Sequence, residues 1–196
     1  MASLSGMAPH YFDIGKFGLP GRHNLENLMG VILAGLALKI EPGFIQETID
    51  HFKGLPNRLE RVGSIKGVDY YNDSKATNVD AAIRSIISFD KPVILLAGGR
   101  HKGGDYAPLV KAAESRVRKA ILMGEAKHLL AKSFEGVISF TLAEDMEDAV
   151  NQAFSSAKTN DVFLLAPACS SFDMFSDYAH RGRVFREVVE RIHHGG

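Results

Sequence analysis

The chain has 196 residues, 45% hydrophobic and 23% charged, enough for one domain with its own core plus an appendage. Its 23 basic and 23 acidic residues cancel, which argues against a broad nucleic-acid surface. The lone cysteine, Cys169, excludes an intrachain disulfide framework and a cysteine-rich zinc site; no apolar run reaches the ~18 residues of a membrane span, the opening MASLSGM is not read as a signal peptide, and a cytoplasmic location is expected.

Leu25, Leu28, Met29, Ile32, Leu33 and Leu36 fall at helical spacing and predict a helix over 24–39, with Gly30 and Gly35 allowing close packing. Pro42 suits the first turn of a second helix that runs to Lys53, with Phe44, Ile45, Ile49 and Phe52 inward. Gly54-Leu55-Pro56 breaks the chain, so the expected domains are residues 1–53 and 54–196. Beyond the break, 59–65 and 68–72 predict a hairpin around Lys66-Gly67. Strands at 92–97, 120–123, 137–140 and 162–166 then alternate with helices at 78–88, 106–116, 126–133, 143–157 and 176–192. Short apolar strands separated by amphipathic helices predict an α/β fold with a mostly parallel sheet flanked by helices.

In such folds sites lie beyond the carboxyl ends of the strands. Three polar segments stand there: Asn72–Asn78 (NDSKATN), Gly98–Asp105 (GGRHKGGD) and Pro167–Asp173 (PACSSFD). Each alone reads equally well as turn and cap chemistry, with Asn78 or Thr77 capping a helix. Together they place Lys75, Lys102, Ser171 and a flanking Phe172 around a small anion. The phosphate-cradling G-x-x-x-x-G-K-[ST], the dinucleotide G-x-G-x-x-G and the nucleophile elbow G-x-S-x-G are all absent. Cys169 reads as a small buried residue, His193-His194 as a solvated tail, and Arg181 and Arg183 as an exposed helix face. No metal ligand is assigned.

Gly21-Arg22-His23-Asn24-Leu25-Glu26-Asn27 resembles the G-x-H-N-x-x-N segment of the Mur ligase family. Gly54-Leu55-Pro56-Asn57-Arg58-Leu59-Glu60, NDSKATN, LLAGGRHKGGD and APACSSFDMF with Arg181-Gly182 resemble, in order, further motifs of its D-glutamate-adding branch. The likeness runs from Gly21 to the C-terminus, with Asn57 where histidine is common and Ala166 where serine is common. It implies a Rossmann-like C-terminal ligase domain preceded by a helical remnant of the central ATPase domain, in a fragment that lacks the P-loop and is inactive alone.

The resemblance also implies roles. Asn24 and Asn27 would face adenine, and Arg58 and Asp73 would contact ATP phosphate and ribose. Thr77, Lys102, Ser171, Phe172 and Tyr178 would form the D-glutamate pocket. Lys75 would assist there, with Arg58, Lys75 and Lys102 as the catalytic candidates. The implied reaction uses ATP and Mg2+, the magnesium ligands lying mainly outside this chain. It joins D-glutamate to UDP-N-acetylmuramoyl-L-alanine through an acyl phosphate, in an enzyme monomeric when complete. The alternatives are a stand-alone amino-acid or nucleotide binding module and a folylpolyglutamate synthase-like ligase.

Overall fold

A computed structural model describes residues 9–195, with side chains to residue 193. The chain divides into two compact units, Met1–Gly54 and Leu55–Gly196. The first unit is built on α1 (Arg22–Ala37) and α2 (Pro42–His51), with Pro42 in the opening turn of α2. They meet along a single seam of Leu28, Ile32 and Leu36 against Ile45 and Ile49. Gly35 permits that approach, since a Cβ there would lie 2.9 Å from Ile45 Cδ1. Phe44 and Phe52, expected inward, are exposed instead, as are Leu25 and Met29 of the apolar spacing on α1. Two helices sharing one seam cover only one stripe of each.

The second unit is an α/β fold. In chain order it contains β1 (Glu60–Ile65), β2 (Val68–Asn72), α3 (Val79–Ile86), β3 (Val93–Gly98), α4 (Ala107–Ala113), β4 (Val117–Met123), α5 (Lys127–Phe134), β5 (Phe140–Leu142), α6 (Met146–Ser156), β6 (Val162–Leu165) and α7 (Tyr178–Gly195). The six strands form one sheet in the order β1-β2-β6-β3-β4-β5. The β1–β2 hairpin is antiparallel and every other pairing is parallel. The last strand in sequence therefore sits between β2 and β3.

Alternation along the central strands divides the core into two layers. Val93 and Leu95 of β3, Ala120 and Leu122 of β4, and Val162 and Leu164 of β6 pack with Ile86, Leu109, Leu130 and Phe134. The intervening Ile94, Leu96, Ile121, Met123, Phe163 and Leu165 pack with Met146, Val150, Phe185, Val188 and Val189. Helices α3, α4 and α5 thus cover one face, and α6 and α7 the other.

Local chemistry shifts some expected boundaries. Asn78 caps α3, its side chain accepting from the Ala81 N–H at 2.8 Å. Asp145 caps α6 in the same way, accepting from Asp148 N–H at 2.9 Å, so the helix starts later than expected. Ala143 ahead of it continues the sheet through its N–H on Leu122 O. The strand expected at 137–140 lies at Phe140–Leu142, because the Val137 and Ile138 N–H groups turn back onto Phe134 O at the end of α5. β4 begins three residues earlier than expected, at Val117, where Arg118 is held by Ser156 O and the Asp161 carboxylate.

Leu95 is fully buried at the sheet centre, so Leu95→Ala should lower unfolding free energy by about 2–5 kcal/mol in urea titrations. Tyr70 on β2 has a buried hydroxyl without a partner among the described residues, and burial pushes its pKa up to about 12. Its folded-state pKa exceeds the unfolded value of ~10, so stability is retained below pH 10 and lost as pH rises through 12. Tyr70→Phe should remove that alkaline loss and stabilise the chain at neutral pH by ~1 kcal/mol, read from the same titrations across pH.

Candidate active site

β2, β6 and β3 are neighbours in the sheet, so the three polar segments that follow them emerge side by side. Backbone hydrogen bonds join them. The Ala168 N–H donates to Ala76 O at 3.0 Å, linking the loops after β6 and β2. Arg100 and Ser170 exchange N–H···O bonds of 3.0 and 3.1 Å, linking the loops after β3 and β6. The Ala126 N–H reaches Gly99 O at 2.8 Å and the Glu125 N–H reaches Asp173 Oδ2 at 2.9 Å, adding the loop after β4.

Close approach dictates two residue types. A Cβ on Gly99, at φ +130°, would stand 2.1 Å from Ser170 O and 3.2 Å from Arg181 Nη1. A Cβ on Gly182 would stand 1.8 Å from Asn57 Oδ1. Asn57 is buried at φ 62°, a conformation asparagine tolerates better than most residues. Its Oδ1 accepts from Asn72 Nδ2 at 3.0 Å, and its carbonyl accepts from the Lys75 N–H at 3.1 Å. Asn72 Nδ2 also reaches Glu60 Oε2 and Gly182 O, and Arg186 pairs with Glu60 at 3.0 Å. The start of the unit, the loop after β2 and α7 are thereby locked together.

Arg181 completes this junction. Expected on an exposed face, it is 1% exposed. It shares the stripe of Phe185, Val188 and Val189 that docks on the sheet, whereas Arg183 points outward. Its Nε donates to Ser74 Oγ at 2.9 Å, and Nη2 to Ser74 O at 2.9 Å. Nη1 and Nη2 reach Cys169 O at 3.3 Å, and Nη1 reaches Ser170 O at 3.2 Å. Ser74 Oγ in turn donates to Tyr178 O at 2.8 Å. Burial lowers the Arg181 pKa to about 10, which still leaves it charged at neutral pH.

Of the expected pocket residues, the side chains of Lys75 and Tyr178 meet at this junction. The Lys75 ammonium lies 3.9 Å from the centroid of the Tyr178 ring, a cation–π contact that draws the loop after β2 onto the start of α7. Thr77 is half-buried at the end of the same loop. Ser171 is buried, Lys102 is exposed in the glycine-rich loop, and Phe172 is 63% exposed beside Ser171. Arg58 is exposed next to Asn57. Asp73 is anchored by its N–H on Leu165 O at 2.8 Å and accepts from Ser85 Oγ. Asn24 and Asn27 belong to α1 of the first unit, Asn24 donating to Pro20 O at 2.7 Å.

Cys169 is buried, as expected, and burial pushes its thiol up, so it is no thiolate nucleophile. It hydrogen-bonds Tyr106 Oη at 3.0 Å, which contacts His101 Nδ1 at 2.9 Å. Burial and the Cys169 bond push the Tyr106 phenol up as well. His193 is exposed in the last turn of α7, and the side chain of His194 lies outside the described residues. Among the described residues no three His, Cys, Asp or Glu side chains converge on a metal-sized site, and no helix is long and apolar enough to cross a membrane.

Residues 57–169 match the family described as Mur ligase, glutamate ligase domain. The chain is 42% identical over 176 residues to the UDP-N-acetylmuramoylalanine–D-glutamate ligase of Caldicellulosiruptor saccharolyticus, covering 89% of this chain and 39% of that protein. It is 37% identical over 197 residues to the same-named ligase of Pelotomaculum thermopropionicum, covering 100% of this chain and 43% of that protein. The chain thus spans about two fifths of the length of these relatives. UDP-N-acetylmuramate–alanine ligase from Thermotoga maritima shares the fold at TM-score 0.67 and 18% identity, over 91% of this chain and 39% of that one. Folylpolyglutamate synthase from Mycobacterium tuberculosis does so at TM-score 0.64 and 15% identity, over 87% and 41%. The chain belongs to the Mur ligase, glutamate ligase domain family.

Because Gly99 meets a carbonyl and a guanidinium at a positive φ, Gly99→Ala should cost roughly 2–5 kcal/mol of stability. Chemical denaturation followed by circular dichroism measures it, and a cost below that range would mean the junction yields easily.

Proposed function

We propose that this chain supplies the amino-acid acceptor pocket of an ATP-dependent ligase that adds D-glutamate to UDP-N-acetylmuramoyl-L-alanine. The observation that carries this reading is the junction of the loops after β2, β3 and β6. It gathers two lysines, two hydroxyls and an aromatic ring at the carboxyl edge of the sheet, in a chain whose relatives bear that ligase name. In this reading Met1–Gly54 corresponds to the end of an ATP-binding domain and Leu55–Gly196 to the ligase domain.

The chemistry explains the residue types. A phosphoryl group passes from ATP to the sugar peptide's carboxylate, giving an acyl phosphate and ADP. The amine of D-glutamate attacks the acyl carbon and loses its proton. The bond to the phosphate oxygen breaks, leaving an amide and inorganic phosphate. The protein must hold a dicarboxylate with its amine in line, which is a positioning task. Lys102 and Lys75 are suited to its carboxylates as mobile point charges, with Thr77 and Ser171 donating and Tyr178 and Phe172 walling the pocket. Arg58 and Asp73 lie on the nucleotide side, Arg58 facing phosphate and Asp73 the ribose. Asn24 and Asn27, three residues apart on α1, share the face assigned to adenine. Magnesium accompanies the phosphates, its protein ligands lying mainly outside this chain.

Discrimination of D- from L-glutamate needs at least three contacts. An amide NMR titration should show saturable shifts near Thr77, Lys102 and Ser171 with D-glutamate and none with the L-isomer; equal response to both would count against the reading. In a complete ligase carrying this chain, Lys102→Ala should raise KM for D-glutamate about tenfold to a hundredfold, as expected for losing a charge-assisted hydrogen bond, with a smaller change in kcat.

A further inference from the structure

Arg181 has no role in the pocket assigned above, yet three strand-end loops close around it. The donors of its guanidinium end on neutral oxygens: Ser74 Oγ, Ser74 O, Cys169 O and Ser170 O. The α-carbon of Gly99, from the third loop, lies against Nη1, where even a methyl group would crowd it. No carboxylate stands within 4.0 Å of it among the described residues. The titratable groups that face it are both on the loop after β6: the Cys169 thiol, kept neutral by burial, and Asp173, which acts from further off while its Oδ2 holds the Glu125 N–H. The loop after β2 presents only Ser74, and α7 contributes the neutral Tyr178 carbonyl through Ser74.

A buried cation without a contacting counter-charge is costly, and a neutral side chain would be cheaper if its only task were to fill space. A guanidinium satisfied by carbonyl oxygens keeps its charge, which acts through a low-dielectric interior on whatever sits above the loops. We propose that Arg181 is the positioning residue of the site. It fixes the loops that carry Lys75, Thr77 and Ser171, and its charge adds to their attraction for an anionic group of carboxylate or phosphate chemistry. The proposal rests on the ligase reading only in taking D-glutamate as the physiological anion.

The test is an amide NMR titration of the 196-residue chain with inorganic phosphate and, separately, with D-glutamate and with L-glutamate, in wild type, Arg181→Gln and Arg181→Lys. Wild type should show saturable shifts at Ser74, Thr77, Gly99 and Ser171 in the millimolar range. Arg181→Gln should weaken binding by roughly tenfold or more. Arg181→Lys should bind near wild type at low pH and lose affinity on going to mildly alkaline pH. Burial favours the neutral amine and lowers a lysine's pKa below that of the arginine, whereas wild type stays charged over that range. A merely structural residue would produce no such pH profile. Should Arg181→Gln fail to fold, the pH dependence of Arg181→Lys against wild type decides alone.

Absence of saturable shifts in wild type overturns the proposal, as do equal affinities in all three proteins or an Arg181→Lys affinity that does not change with pH. Binding of phosphate and of both glutamate enantiomers alike, with the expected dependence on residue 181, supports the role of Arg181 and counts against the ligase reading.

Discussion

Insertion of β6 between β2 and β3 is the constraint on which the site depends. Two strands adjacent in sequence order are pulled apart, and the last strand of the fold fills the gap. The segments that leave their carboxyl ends therefore start side by side, those after β2 and β3 each one strand away from the one after β6, although Asp73 and Ser171 are nearly a hundred positions apart in sequence. Helices leave to opposite faces from this point, α3 to one and α7 to the other. A crevice at such a divergence is where parallel sheets bind ligands. The polar residues at these strand ends need no long excursions to meet.

Two kinds of residue divide the work there. Buried polar groups are fully committed to one another: Asn57 to Asn72, Asn72 to Ser74 and Gly182, Ser74 to Arg181 and Tyr178. Such a network is worth having only when every member is satisfied, and it leaves the loops little freedom. Exposed groups such as Lys102, Arg58 and Phe172 stand at its rim. In the proposed reading the rigid set fixes geometry and the exposed set is left to meet a ligand, an arrangement that favours precise orientation over raw affinity.

Much of the fold was legible because its strands are short, apolar and separated by helices of clear period. The hairpin turn at Lys66-Gly67 is readable from residue type, and residue type narrows the cap of α3 to Asn78 or Thr77, of which the structure uses Asn78. The strand near Val137 was misplaced because an apolar run does not say where a helix ends, and backbone bonds to Phe134 decide that. The inward set of α2 is narrower than its spacing predicts, with Phe44 and Phe52 exposed, since periodicity names a stripe and not the width that a neighbour covers. NDSKATN and the glycine-rich loop mark the candidate site in the sequence, but the junction behind them has no such mark. The charge of Arg181 points it outward, although it lies four, seven and eight residues before Phe185, Val188 and Val189. That spacing was the available signal, and charge was the competing rule that misled. The contact between Gly182 and Asn57 joins positions 125 apart and had no local trace.

The electrostatics of the chain follow from that same division. An exposed lysine such as Lys102 gains little from an anion in bulk water, because solvent screens the pair and the side chain must be ordered to meet it. The same pair gains several-fold once water is excluded and the local dielectric falls. Lys75 is already held over an aromatic ring, so part of its ordering cost is met before any ligand arrives. Arg181 is ordered completely and desolvated completely, and its interaction with an anion requires no further loss of freedom. The three cations thus form a graded series from mobile and solvated to fixed and dry. In the proposed reading, excluding water from such a series would strengthen chiefly its exposed members, because the buried one is already desolvated.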